Sequence, residues 1–260
     1  MCGPAWLCPL LLCLTLPIDD GRIAAGQLWE LGQAAMRHGQ PDAAIDYYQR
    51  SLQANAAYSS SHLSLAAAYM EKQDPASASV HLAIYLEANP EQTAVRVRYA
   101  ELLLRLKRRQ DASAQFERTV ADAQGGDESA HRDLISCHSR LASMAEEDND
   151  AYGEHLNRGV GLFLLAGQRR YLSEANEELP VESLLIKAAA ELTHARLQKP
   201  GEARPCWYLY LAWSQLGQRQ PALCRLREAA STAPFSALTP TERRELEAAH
   251  SRLLQETTRR

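Results

Sequence analysis

Long apolar segments, strand-like alternation and paired-cysteine motifs are all missing from this chain. No Val-, Ile- or Thr-rich run alternates over four to eight residues, which leaves no strand candidate. Six cysteines occur without one C-x-x-C pair, so neither a zinc ribbon nor a thioredoxin-type site is signalled. Cys2, Cys8 and Cys13 lie in an N-terminal apolar stretch, while Cys137, Cys206 and Cys224 are scattered. No Gly-rich phosphate loop, G-x-S-x-G elbow or H-E-x-x-H pair is present. With Lys+Arg 28 against Asp+Glu 32, the net charge of −4 offers no basic excess for a phosphate backbone. An enzyme, a metal protein and a nucleic-acid binder are therefore not expected, and no cofactor is implied.

What is present is helix-forming and periodic. Apolar residues make up 46% of the chain and charged ones 23%, a globular rather than a disordered composition. Ala, Leu, Glu, Gln and Arg, all good helix formers, dominate. Segments 25–58, 59–92 and 93–126 align without a gap at a period of 34. Ala44, Ala78 and Ala112 share one phase, each followed four residues later by Tyr48, Leu82 or Phe116. Leu31-Gly32, Leu65-Ala66 and Tyr99-Ala100 recur near the start of each unit. Gly39-Gln40-Pro41, Gln73-Asp74-Pro75 and Lys107–Gln110 interrupt each unit midway, as turns between two helices. A fixed period of this length predicts stacked helical hairpins, none able to bury its apolar face alone. Gly32, Ala66 and Ala100 are expected to face Ala44, Ala78 and Ala112, letting backbones approach.

This pattern resembles the tetratricopeptide repeat (TPR) family, with its W-x₂-L-G-x₂-Y…A-x₃-F…P unit. The resemblance covers residues 25–126. It departs at the Trp position, where Leu28, His62 and Arg96 stand, and the closing Pro survives only as Pro90. A further unit reappears at 203–236, with Leu209, Tyr210 and Trp213, a turn at Gly217–Pro221, then Ala222, Leu226 and Ala229. Between 127 and 202 the phase is lost, and elongated or degenerate helical hairpins are expected. The expected fold is an all-α, right-handed TPR-like helical-hairpin solenoid. A capping helix over 239–258 closes it: Thr239-Pro240-Thr241-Glu242 has capping-box spacing, and Leu246, Ala249, Leu253 and Leu254 fall on its packed side.

Residues 5–16 form an apolar run of twelve, too short to span a bilayer, which takes about 20 residues. The run has the length of a secretory h-region. No Lys or Arg precedes it and no small-x-small site follows, so an export signal and an apolar tail both stay open for 1–20. The first would place the chain outside the cytoplasm, in the periplasm or envelope; the second would leave it cytoplasmic.

The TPR resemblance implies a channel lined by first-helix positions. Carried over, these are Trp29, Gln33, Met36 and Arg37, then Leu63, Ala67, Met70 and Glu71. Val97, Glu101, Leu104 and Arg105 follow, with Trp207, Leu211 and Ser214 in the last unit. The implied occupant is a protein or peptide partner; no nucleic acid and no membrane span is expected. An exported structural or assembly factor of the cell envelope is the alternative. Arg96, Arg98, Arg105, Lys107, Arg108 and Arg109 cluster around the third unit and read first as a solvated turn edge, with a docking patch for an acidic peptide or neighbouring protein as the functional alternative. His131, His138, His155 and Cys137 do not form an i, i+4 ligand pair, and the carboxylates at 146–154 and 174–182 read as solvated faces. Whether Cys206 and Cys224 pair or stay as buried thiols is left open.

Overall fold

A computed structural model describes residues 20–122, 128–171 and 180–258. The apolar run expected as a signal or tail lies outside them, as do Glu174, Glu177 and Glu178. Among the described residues every regular element is helical. The helices are α1 (Asp20–Arg37), α2 (Pro41–Ala54), α3 (Ser59–Glu71), α4 (Pro75–Ala88), α5 (Thr93–Arg105) and α6 (Arg109–Asp122). They continue as α7 (Glu128–Glu147), α8 (Ala151–Tyr171), α9 (Val181–Gln198), α10 (Ala203–Gln215) and α11 (Arg219–Thr232). A 3-10 turn, Ala233–Phe235, precedes α12 (Pro240–Thr258). The chain divides into two compact units, one up to Tyr85 and one from Leu86.

The 34-residue period is written into the backbone. Gly39, Gln73 and Lys107, spaced by that period, all have positive φ (69°, 58° and 59°). In each turn the next amide, of Gln40, Asp74 or Arg108, donates to the carbonyl five residues back, at 3.0, 2.8 and 2.9 Å. These are Schellman closures, which satisfy helix-end carbonyls that would otherwise lack a donor. The same closure recurs at Asn149 and Gly217. Only two of these five positions are Gly, the residue that occupies this region without steric cost.

In the first unit, small residues let α1 and α2 approach. A Cβ on Gly32 would lie 2.3 Å from Tyr48 Cε1, so the absence of a side chain at Gly32 makes room for the Tyr48 ring. Tyr48 and Ala44 are both fully buried, in one core with Leu65 and Ala68 of α3. Ser51 donates to the Ala25 carbonyl at 2.8 Å and lies 2.7 Å from Ser61 Oγ, joining α1, α2 and α3 through buried polar atoms. Leu31, expected on the packed face, is 49% exposed, because no described element lies on that flank of α1. At the Trp register, His62 instead meets His81 on α4, Nδ1 to Nδ1 at 3.0 Å, and His81 stacks on Tyr69.

In the second unit the Trp register holds a charge. Arg96 is buried, donating to Asp122 at 2.8 Å and to the Pro90 carbonyl, so one guanidinium ties both ends of the α5–α6 hairpin. Region 127–202, expected as hairpins, carries three long helices among the described residues. Helix α8 packs against α7, α9 and α10, so it serves as second helix to α7 and first helix to α9. Gly159 makes this closeness possible: a Cβ there would fall 2.7 Å from Leu192 Cγ and 3.1 Å from the Leu192 backbone nitrogen on α9.

The odd count has a geometric consequence. Within the second unit consecutive helices alternate between two layers, and helices two apart meet through side chains within a layer. Glu101 of α5 receives both Nε and Nη2 of Arg140 on α7 (2.7 and 3.1 Å), and Arg196 of α9 meets Glu228 on α11 at 3.0 Å. In the other layer Phe163 of α8 meets Tyr208 of α10 edge-on at 5.6 Å, and Arg204 of α10 meets Glu242 on α12 at 2.9 Å. The first helix of the third repeat, α5, and that of the last repeat, α10, therefore lie in opposite layers.

Helix α12 starts as its sequence predicts. The Thr239 amide donates to Glu242 Oε2 at 2.7 Å and the Glu242 amide to Thr239 Oγ1 at 3.2 Å. Leu246 and Leu253 enter the core around Ala203, Cys206 and Trp207. Leu254, expected beside them, is exposed, since it falls about 100° around the helix from Leu253.

His138 is buried on α7, its Nδ1 2.8 Å from Asn157 Oδ1. Burial pushes its pKa down to about 4. The unfolded chain then binds this proton near pH 6.5 while the folded chain does not. Stability is full above about pH 6.5 and falls as pH drops from there towards 4, by roughly 3 kcal/mol for this group. Urea melts at pH 7.5 and 4.5 check this: His138→Gln is expected to flatten the difference, and an equal pH slope in the variant contradicts it.

Candidate functional site

In the first unit, the expected channel residues on α1 and α3 come together. Trp29 Nε1 donates to Ser64 Oγ at 2.8 Å and Gln33 Nε2 to the same oxygen at 3.0 Å. One α3 hydroxyl thus fixes the indole and the amide of α1 side by side. Trp29 also meets Tyr58 edge-on at 6.5 Å. Trp29 and Met36 rest against the core below, half-buried, and Leu63 and Met70 are half-buried on α3. Arg37 and Glu71 are exposed. Beneath them the Tyr48 hydroxyl is buried without a hydrogen-bond partner. Its pKa is raised by burial, against smaller opposing effects of Ser64, Arg37 and Gln33. Ser64 was not among the expected residues. Its signal in sequence is slight: one hydroxyl between Leu63 and Leu65 on a helix otherwise read for its apolar stripe.

The second unit disperses its expected residues. Val97 is buried, Glu101 is held by Arg140, Leu104 is half-buried and Arg105 is exposed. Trp207, expected to line the channel, is only 2% exposed: α12 covers it, and its ring packs on Tyr210 at 5.3 Å. Leu211 stays half-buried, and Ser214 is exposed. By the layer alternation, Val97, Glu101, Leu104 and Arg105 on α5 do not share a layer with Trp207 and Leu211 on α10.

The basic patch is also reduced. Arg96 is buried in its ion pair, Arg108 pairs with Asp111 at 2.7 Å, and Arg109 reaches Glu147, Asp148 and the Met144 carbonyl of α7. The Arg109 bonds hold α6 to α7, so Arg96 and Arg109 are structural, while Arg108 is exposed and pairs only within its own turn. Arg98, Arg105 and Lys107 are exposed.

Titratable groups elsewhere are likewise engaged. His155 lies 2.7 Å from Glu191 and stacks on His194, and Glu146 and Glu154 both pair with Arg158. Cys137 is buried, its thiol pushed up to about 12 by burial. Cys206 and Cys224 are free thiols, the first buried and the second exposed, so they are neither a disulfide nor two buried groups. No three metal-ligating side chains converge among the described residues.

Cavities of the second unit include the following. One, about 350 Å³, sits between α7 and α8 against Ile135, Ser143, Arg158 and Leu162. Another, about 540 Å³, opens between α10 and α12, with Trp207, Tyr210 and Leu211 on one side and Thr241, Arg244, Glu245, Ala249 and Arg252 on the other.

No protein-family model and no curated protein sequence matches the chain. Among solved structures it is similar to the first TPR of Spaghetti (RPAP3) bound to an HSP90 peptide, at 23% identity, covering 46% of this chain and 98% of that one, TM-score 0.39. It is similar to YrrB, a TPR protein with an unusual peptide-binding site, at 14% identity over 86% and 92% of the two chains, TM-score 0.37. The type IV pilus biogenesis factor PilW is similar at 15% identity over 82% and 94%, TM-score 0.38. With its 34-residue hairpins and their left-handed turns in phase, the chain has an all-α, TPR-like fold.

Proposed function

We propose that the protein is an interaction scaffold that captures a peptide or helix of a partner protein on the first-helix surface of its repeats. The observation that carries this reading is the α1–α3 surface, where Ser64 holds Trp29 and Gln33 in one orientation. A pre-oriented indole suits recognition, because ordering costs have been met before binding, and Arg37 and Glu71 are exposed at the far ends of the same two helices. Chemistry needs a convergent set of reactive groups, and His62, His81, His138, His155 and His194, with the buried thiols of Cys137 and Cys206, are tied into packing. No helix among the described residues is long and apolar enough to cross a membrane. An envelope assembly role is the second reading and depends on residues 1–20.

Pull-down of partners with the wild type and with Trp29→Ala/Leu63→Ala tests the scaffold reading. Loss of an indole anchor is expected to weaken capture by about 30-fold, the scale of a 2 kcal/mol hot spot. Undiminished recovery by a folded double variant would sink the α1–α3 assignment.

A further inference from the structure

The cavity between α10 and α12 combines an apolar floor with cations that have no carboxylate to hold. Tyr210 and Leu211 form the accessible floor over buried Trp207, and Ala249 keeps the opposite wall low. Arg252 makes no ion pair among the described residues. Arg244 has only long contacts to its own first turn, 3.4 Å to the Pro240 carbonyl and 3.5 Å to Thr241 Oγ1. Other arginines nearby are spent: Arg204 on Glu242, Arg196 and Arg225 on Glu228, Arg219 on Glu256. One carboxylate, Glu245, also lines the cavity, so its charge is modestly positive rather than strongly basic.

We infer that this groove is a second binding surface, taking an extended acidic peptide whose apolar side chain enters between two carboxylates. The spacing supports that occupant. Arg244 and Arg252 are eight residues apart on one helix, about 12 Å along its axis. An extended peptide covers that distance in about four residues, which places one side chain midway, over Tyr210 and Leu211. A nucleic acid would require a broader basic surface without Glu245. The groove is built from residues of the second unit only, none of them among Trp29, Gln33 and Ser64, so it does not rest on the α1–α3 reading.

The probe is a fluorescein-labelled, end-blocked Asp-Ser-Phe-Ser-Asp peptide, read by anisotropy at low salt. Controls carry Lys for both Asp, or Ser for Phe. The wild type is expected to bind the acidic peptide at least tenfold tighter than either control. Arg244→Glu/Arg252→Glu, both exposed positions, is expected to invert the preference towards the Lys peptide, and Trp29→Ala to leave it unchanged. Equal binding of acidic and basic peptides, equal binding without Phe, or an unaltered preference in the double variant overturns the proposal. So does concentration-dependent dimerisation in sedimentation that the double variant abolishes, which would make the groove a contact between two copies.

Discussion

Glu242→Ala is expected to lower the unfolding free energy by about 3–5 kcal/mol. Glu242 does two jobs at the start of α12. Its carboxylate accepts the Thr239 amide at 2.7 Å, closing the capping box, and it neutralises Arg204, whose side chain is mostly buried. Truncation removes the cap, worth about 1 kcal/mol, and leaves a buried guanidinium without a counter-charge, the larger cost. The loss spreads because α12 covers the core containing Trp207, Leu226 and Ala229. Glu242→Gln keeps an acceptor at the cap and removes the charge, so its cost should fall between wild type and Ala. Urea denaturation followed by far-UV circular dichroism measures both. A penalty below about 1 kcal/mol for Ala would show that α12 docks without this pair.

The second large effect is an asymmetry within one ion pair. Asp122→Ala strands Arg96, whose side chain is 2% exposed, with the Pro90 carbonyl as its remaining acceptor. Removing the partner of a buried charge is expensive; because Asp122 itself is half-exposed, about 2–3 kcal/mol is expected. Arg96→Met removes the buried charge, keeps the apolar stem and leaves Asp122 to water and to Arg118, 3.5 Å away. It should cost within about 1 kcal/mol. The ordering is the test: if Arg96→Met is the more damaging change in chemical denaturation, the guanidinium contributes hydrogen bonds that this account undervalues.

The second effect starts from a position where the repeat departs from its pattern, Arg96 at the Trp register. The 34-residue alignment foretold the hairpins because small residues at Gly32, Ala44, Ala66 and Ala78 are spaced by helix geometry, a local property. The capping box of α12 was equally legible, since cap chemistry involves residues three apart. Burial of Arg96 was not. It depends on Asp122, 26 residues away, and on a carbonyl that no side-chain pattern records. Arg109 of the basic patch was hidden for the same reason, since its acids Glu147 and Asp148 lie on α7, whereas Arg108 pairs with Asp111 only three residues on.

The candidate surface divides along the same line. The TPR resemblance pointed to Trp29, Gln33, Met36 and Arg37 on the first helix before any contact was known. Ser64, which orients two of them, became visible only once α3 lay against α1. Trp207 occupied the matching register yet is covered, because α12 packs over it.

By itself the sequence determined an all-helical fold with 34-residue hairpins over 25–126 and 203–236 and a capped last helix, through spacings that act within one helix or one turn. The tertiary structure alone decided which faces are open. Close approach of α9 to α8 at Gly159 admits three helices between the repeats instead of an even number, and so puts α5 and α10 in opposite layers. Layer membership depends on helix count and on contacts distant in sequence, and periodicity carries neither.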